Sequence, residues 1–306
     1  MNTSAPVSSR MIAATVLAIG ICVVATSSIL IRYVQALHIP SLSIAAIRLG
    51  ISAVVLSSLV IIRWQYHTPV GYTWSHARLA LLSGVCLAIH FAAWIHSLEY
   101  TTVASSAALV ATTPLWVGIA AMLIYKERLN RWRIIGMALT VVGSIVIALG
   151  DQQHSHASHP LLGNSLALIG AISGSVYFLI GRGVRHHIPL LHYIWISYGS
   201  AAITLYVASL AFGFTVLPTS PNAWLFLGAL ALGPQLIGHT SINYAMRHLS
   251  ALLVTIAMLG EPVGSAILAF VLFAERIAMM QLVGLFGLLI GIATTAYGET
   301  REEHTS

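Results

Sequence analysis

The sequence predicts an all-α membrane protein whose ten transmembrane helices form two inverted five-helix repeats. Three observations carry that prediction. Hydrophobic residues make up 58% of the 306 positions and charged ones only 7%, with a mean hydropathy of +0.89. A soluble domain averages about 25% charged, so this chain cannot cover itself with an ordinary water-facing surface. Second, its apolar residues fall into windows of about 20, the length that crosses a bilayer as a helix. Third, residues 114–150 recur at 262–298 without a gap, and nine of the 37 pairs are identical. These include Pro114/Pro262, Glu127/Glu275, Arg128/Arg276, Gly136/Gly284, Gly143/Gly291 and Gly150/Gly298. A duplicated multi-span unit is a common plan for proteins that handle solutes within a bilayer.

The first repeat occupies 11–150. Its windows are 11–31, 42–62, 78–98, 102–124 and 132–150. No small-residue cleavage site follows 11–31, so that window is read as a retained helix and not a signal peptide. His38-Ile39-Pro40 turns the chain into the second window, and Tyr66-His67-Thr68-Pro69 turns it into the third. Lys126-Glu127-Arg128 marks the end of the fourth. A polar, His-rich outer loop at 151–162 divides the halves. The second repeat, 163–298, has windows at 163–181, 190–211, 223–245, 249–273 and 279–298, followed by a tail at 299–306. Ile188-Pro189 answers Ile39-Pro40, which extends the repeat back to its first spans.

Five spans per copy is an odd number, so the copies must sit in opposite orientations. With the N-terminus inside, eleven of the fourteen Lys and Arg fall in cytoplasmic segments: Arg10, Arg63, Arg78, Lys126, Arg128, Arg131, Arg133, Arg182, Arg185, Arg247 and Arg301. Outer loops hold only Arg32 and Arg276. That bias follows the positive-inside rule and predicts a multi-pass protein of the inner (plasma) membrane with both termini cytoplasmic. It also explains the pI of about 9.6 without a nucleic-acid partner. Cys22 and Cys86 lie inside apolar runs and are read as packed thiols.

Five-plus-five spans with an internal duplication resemble the drug/metabolite transporter superfamily, in particular its EamA-type members. The ends of the fourth and ninth spans carry the likeness: Thr113-Pro114 … Lys126-Glu127-Arg128-Leu129, and Gly260-Glu261-Pro262 … Ala274-Glu275-Arg276-Ile277, each followed by a Gly-punctuated helix. The resemblance covers about 11–298. It implies a carrier for a small-molecule substrate, with export favoured because family members are mostly exporters.

Glu261 is the only acid placed deep in a span. An ionised carboxylate there costs several kcal/mol unless paired. It is either a proton-coupling group or substrate ligand, or a clasp for the helix broken at Gly260-Glu261-Pro262, and the structural role is preferred. Arg48 is the matching base inside the second span. It binds a substrate carboxylate, or else snorkels or pairs with Glu261. His90 and His239 occupy near-equivalent places in the third and eighth spans and are expected to face one another at mid-depth. Trp94, Trp116, Tyr177 and Asn243 join them as candidate substrate contacts. Thr26, Ser27, Ser28, Gln235, Trp195 and Tyr198 are further polar or aromatic span residues, open to either a lining or an interhelical role. Gly136, Gly143 and Gly150, with Gly284, Gly291 and Gly298, recur every seven residues and predict a flat seam for helix packing.

His154, His156 and His159 form His-x-His-x-x-His. Without carboxylate or thiolate help this is a weak ligand set, so it is read as a solvated loop, with no metal and no cofactor. Ile172-Ser173-Gly174 resembles the serine turn of rhomboid proteases, but Ala171 stands where that motif requires Gly, and an enzyme is not expected. No filter loop or charged ring suggests a channel, and no phosphate-binding loop suggests a nucleotide-driven pump. One intramembrane cation suits a zwitterion such as an amino acid better than a nucleotide sugar. Lipophilic drug-like cations are the alternative cargo. The assembly is expected to be a monomer or homodimer.

Overall fold

A computed structural model describes residues 7–66, 71–125, 130–151, 158–184, 187–214, 217–218, 220–245, 248–249, 254 and 257–303. Among them every regular element is helical. The first half contains α1 (Val7–Ala25), α2 (Ser27–Ala36), α3 (Ser41–Tyr66), α4 (Trp74–Ser97), α5 (Val103–Val110), α6 (Thr113–Tyr125) and α7 (Arg131–Asp151). The second contains α8 (Pro160–Val184), α9 (Leu190–Ala211) and α10 (Pro221–Leu230). α10 runs through a π-helical stretch, Ala231–His239, into α11 (Thr240–Ala245). α12 (Gly260–Phe273) and α13 (Met279–Glu303) complete the chain. Seven spans among the described residues are long and apolar enough to cross a membrane, and Gly260–Phe273 and Met279–Thr295 are shorter apolar helices.

Local chemistry explains the boundaries. Thr73 and Thr102 cap α4 and α5 by accepting from the backbone N–H of His76 and Ser105. Pro221 opens α10, where a missing N–H costs nothing. Two spans are broken within the apolar run. The Thr26 hydroxyl donates to Val23 O at 2.7 Å where α1 gives way to α2, and Thr112 does the same to Leu109 O between α5 and α6. The π stretch has its own cause. Pro234 lacks an N–H and its ring would meet the carbonyl of Leu230, so the turn widens around it.

The molecule is apolar outside and sets polar groups within an otherwise apolar core. Val54, Ile203, Leu225, Val271 and Phe286 are each at least 64% exposed, as lipid-facing side chains should be. Ser27, Ser43, Arg48, Ser52 and Gln235 are buried. Lipid tails are as apolar as leucine, so packing and interhelical hydrogen bonds must hold the helices together. α3 packs on α9, α4 on α8 and α9, and α1 on α11, α12 and the π stretch.

α7 and α13 make the most extensive pairing, along the glycine seam. A Cβ at Gly284 would come 2.7 Å from the backbone N of Ile147. One at Gly291 would come 2.7 Å from Gly136 O, and one at Gly143 2.7 Å from Gly284 O. The seam is a backbone-to-backbone contact, and the order of these pairs makes the two helices antiparallel.

Candidate functional site

The centre of the bundle is organised by Arg48, in the second turn of α3 and 0% exposed. Its Nε donates to Gln235 Oε1 at 2.8 Å and its Nη1 to Ser27 Oγ at 3.1 Å. Its Nη2 is buried and has no acceptor among the described residues. The guanidinium carbon lies 4.3 Å from the Phe91 ring centroid and 5.8 Å from that of Trp94. A desolvated cation–π contact contributes about 2 kcal/mol, which offsets part of the several kcal/mol that burying the charge costs. The Tyr198 hydroxyl engages the same Gln235 side chain. Glu261 acts on Arg48 electrostatically, yet among the described residues no ion pair within 4.0 Å joins them.

Three breaks in regular helix deliver these partners. Ser27 is the first residue after the Thr26 break. Gln235 follows Pro234 in the widened turn. Glu261 stands in the first turn of α12, with Pro262 behind it, where free backbone N–H groups favour a negative charge.

The rings form a continuous group on α4 and the π stretch. His90 packs against Phe91 at 4.8 Å and stacks over Trp94 at 6.0 Å, and His239 meets the Phe91 edge at 6.0 Å. The His90 Nδ1 lies 2.8 Å from Gly170 O. A carbonyl only accepts, so Nδ1 carries the proton and Nε2 of the neutral ring is an acceptor. The His90 ring also fills the hollow at Gly174, where a Cβ would sit 2.9 Å from its Nδ1. Trp94 is 3% exposed, and its indole N–H has no acceptor among the described residues. Two buried donors, Arg48 Nη2 and Trp94 Nε1, thus lack acceptors beside one aromatic face.

Arg48, His90, Trp94 and His239 come together around Phe91, with Glu261 within electrostatic reach. Asn243 is one turn beyond His239 and donates from Nδ2 to His239 O at 2.9 Å. Tyr177 belongs to another group. It stacks on Tyr193 at 6.1 Å, whose hydroxyl hydrogen-bonds Ser83 at 2.7 Å. Trp116 donates to Thr112 one turn back, at 3.1 Å, and makes no ring contact among the described residues. His159 is exposed and borders Tyr100, whereas His154 and His156 lie outside the described residues, as do Lys126, Glu127, Arg128 and Leu129. No group of three or more His, Cys, Asp or Glu among the described residues could hold a metal. Phe91 was not singled out by sequence, and Gln235 and Ser27 only as generic polar residues. The Gly233-Pro234-Gln235 break was the available signal for Gln235.

A second polar network closes one end of the bundle. Buried Glu275 accepts from the Val103 backbone N–H at 2.7 Å, at the start of α5. Arg32 donates to Thr101 O at 2.7 Å and is coupled electrostatically to Glu275. Thr101 donates to Asn164 at 2.8 Å, and Gln281 Nε2 reaches Thr102 and Ser105 at 3.2 and 3.1 Å. Close by, Glu99 pairs with His96 at 3.2 Å and accepts from Ser41. Burial alone would raise the Glu99 carboxyl, but these partners outweigh it and hold it below the usual carboxylate range.

The model of the EamA-like transporter family matches residues 11–149 and 161–297. An uncharacterised transporter of Archaeoglobus fulgidus is 24% identical over 263 residues, 82% of this chain and 86% of that one. The uncharacterised transporter YetK of Bacillus subtilis is 30% identical over 98 residues, a match spanning 32% of this chain and 30% of the relative. A solved crystal structure superposes with a TM-score of 0.64 at 19% identity, over 97% of this chain and 99% of the other, a likeness of fold alone.

Proposed function

Because this chain belongs to the EamA-like transporter family, we propose that it exports small amphipathic metabolites, amino acids first among them, by alternating access. Ten spans form two inverted five-helix halves, with both termini in the cytoplasm of a cell whose inner membrane it occupies, as a monomer or homodimer. The antiparallel pairing of α7 with α13 supports the inversion, since these are equivalent helices of the two copies. So does the pairing of α3 with α9, in which Ser57 meets Trp195 and Trp64 meets His192.

The observation that carries the substrate reading is the Arg48 guanidinium, buried among rings with Nη2 lacking an acceptor. A carboxylate arriving there satisfies that donor and the nearby Trp94 indole N–H together, and planar guanidinium suits a carboxylate. Glu261 offers the opposite charge for an amine. One cation and one acid beside aromatic walls match a zwitterion better than a multiply charged anion. Proteoliposomes loaded with unlabelled amino acid should therefore show saturable counterflow uptake of labelled amino acid, abolished in Arg48→Gln. Conductance beyond carrier rates would instead establish a channel.

The ring group with Glu261 nearby also favours a second reading, efflux of lipophilic cations. Cells stripped of their own exporters and challenged with amino-acid analogues or with lipophilic cations separate the two by which toxicity the protein relieves. Transport that keeps its proton-gradient dependence in Glu261→Gln removes coupling from that residue and leaves it as the clasp of α12. An alkaline phosphatase fused at Ser155 should be active and one fused after Arg301 inactive.

A further inference from the structure

Residues 60–80 and 182–196 contain four arginines (Arg63, Arg78, Arg182 and Arg185) and five histidines, and no acid. The described parts of these two stretches meet. The rings of His76 and His187 stack with centroids 4.2 Å apart and planes 9° from parallel. Trp64 Nε1 donates to His192 Nε2 at 3.3 Å, and the Tyr72 and His192 rings meet edge-on at 6.1 Å. Between the start of α4 and the adjoining face of α9 lies an open crevice of about 410 Å3, lined by Tyr72, Trp74, Ala77, Leu81 and Ile196.

The crevice has an apolar floor, and the segments at its rim are basic and free of acids. Trp74 is 70% exposed and Leu81 38%, so both offer bare hydrocarbon at the edge of a bilayer, where Trp and Tyr concentrate. His192 is 1% exposed and stands one turn before Ile196 on the same face of α9. An indole nitrogen only donates, so His192 Nε2 is the acceptor and its proton sits on Nδ1. That Nδ1 is buried and has no partner among the described residues. Arg63 is near enough to act on His192 electrostatically. Arg78 is exposed, one turn after Trp74 on α4.

We propose that this crevice binds an anionic phospholipid of the cytoplasmic leaflet. Its phosphate sits between Arg63 and Arg78, and one acyl chain lies along Trp74, Leu81 and Ile196. In the orientation proposed above, the rim faces the leaflet that carries anionic lipid, and basic pockets between helices on that side suit such headgroups. A small soluble anion would leave the apolar floor uncovered. A second copy of this chain would bring the same acid-free cationic rim against itself. Lipid binding here is independent of which solute the central site carries, so failure of one reading leaves the other standing.

Native mass spectrometry of the purified full chain with equal phosphatidylglycerol and phosphatidylcholine tests it. Retention should favour phosphatidylglycerol and fall about fivefold for each arginine lost in Arg63→Gln and Arg78→Gln, the equivalent of about 1 kcal/mol per basic residue at a membrane surface. Trp74→Ala should weaken retention of both lipids. Arg131→Gln removes the same charge from an exposed site elsewhere and should change nothing. Both arginines of the rim are exposed, so their loss leaves the fold intact, which thermal melting checks. An unchanged lipid preference in the double variant overturns the proposal. So does an equal response to Arg131→Gln, which marks general surface attraction. Inorganic phosphate displacing the lipid at millimolar concentration would mean a free-anion site instead.

Discussion

Arg48 and Phe91 stand face to face across the bundle, with the guanidinium carbon 4.3 Å from the ring centroid. The ring stabilises the cation without consuming its donors, which leaves Nη2 open. Phe91→Leu keeps the volume but removes the quadrupole. A loss of about 1–2 kcal/mol predicts a rise of about five- to thirtyfold in the KM of counterflow, with little change in melting temperature.

Arg48 itself separates binding from folding. Its charge is buried without a contacting acid among the described residues, so it is not a strong stabiliser. Arg48→Met should abolish uptake yet leave the melting temperature within a few degrees of the parent. Arg48→Lys keeps charge but loses the planar fork, and should retain less than about a tenth of the affinity. A collapse of expression in both would assign Arg48 to the fold.

The glycine seam makes a steric prediction. Gly143→Val and Gly284→Val place a side chain where backbone of the facing helix stands 2.7 Å from the first carbon. Overpacking of this kind costs about 1–3 kcal/mol, enough to lower yield and melting temperature clearly. Gly50→Ala, in α3 with nothing within 4 Å, should be neutral or stabilising by up to about 1 kcal/mol.

Glu275 holds the start of α5 at Val103 while Arg32 holds Thr101, two residues earlier. Glu275→Ala leaves the Val103 N–H unmet and Arg32 without its counter-charge. Labelling of Ser105→Cys by a membrane-impermeant thiol reagent should then rise several-fold. Unaltered labelling would show that Gln281 and Asn164 suffice to keep that end shut.

Glu99 predicts the sign of a pH effect. Its folded value lies below the ordinary 4.5, so its stabilisation is complete above about that pH and is lost as pH falls through the lowered value. Melting temperature should therefore drop on acidification below about 4.5. Glu99→Gln should flatten that part of the curve, by no more than a surface pair allows, about 1 kcal/mol.

How far the sequence revealed these features depended on what each residue costs in a bilayer. The seam was legible because Gly136, Gly143 and Gly150 repeat at a helical spacing and only small residues permit backbone contact. Arg48 and Glu261 stood out because charge within an apolar run is expensive. Phe91 carried no such mark, since a phenyl ring is at home in lipid and only its position over Arg48 distinguishes it. Trp116 and Tyr177 show the converse limit. Helical spacing gives a residue's face but not its partners, and these two turn toward Thr112 and Tyr193. The apolar windows anticipated an all-helical chain, of which seven spans among the described residues are long enough to cross a membrane, while breaks at Thr26 and Thr112 fall within runs that hydropathy reads as continuous.

A π turn holds more residues than an α turn, so the stretch from Ala231 to His239 shifts the helical phase of everything after it. One surplus residue amounts to about 100° of rotation. Pro234 pins that surplus in place, because in a regular α turn its ring would clash with the Leu230 carbonyl. The azimuths of His239 and Asn243 are therefore set upstream of them, at Pro234. Deleting Ile237 would swing His239 about 100° away from the Phe91 ring it now meets, while Gln235 keeps its place beside Arg48.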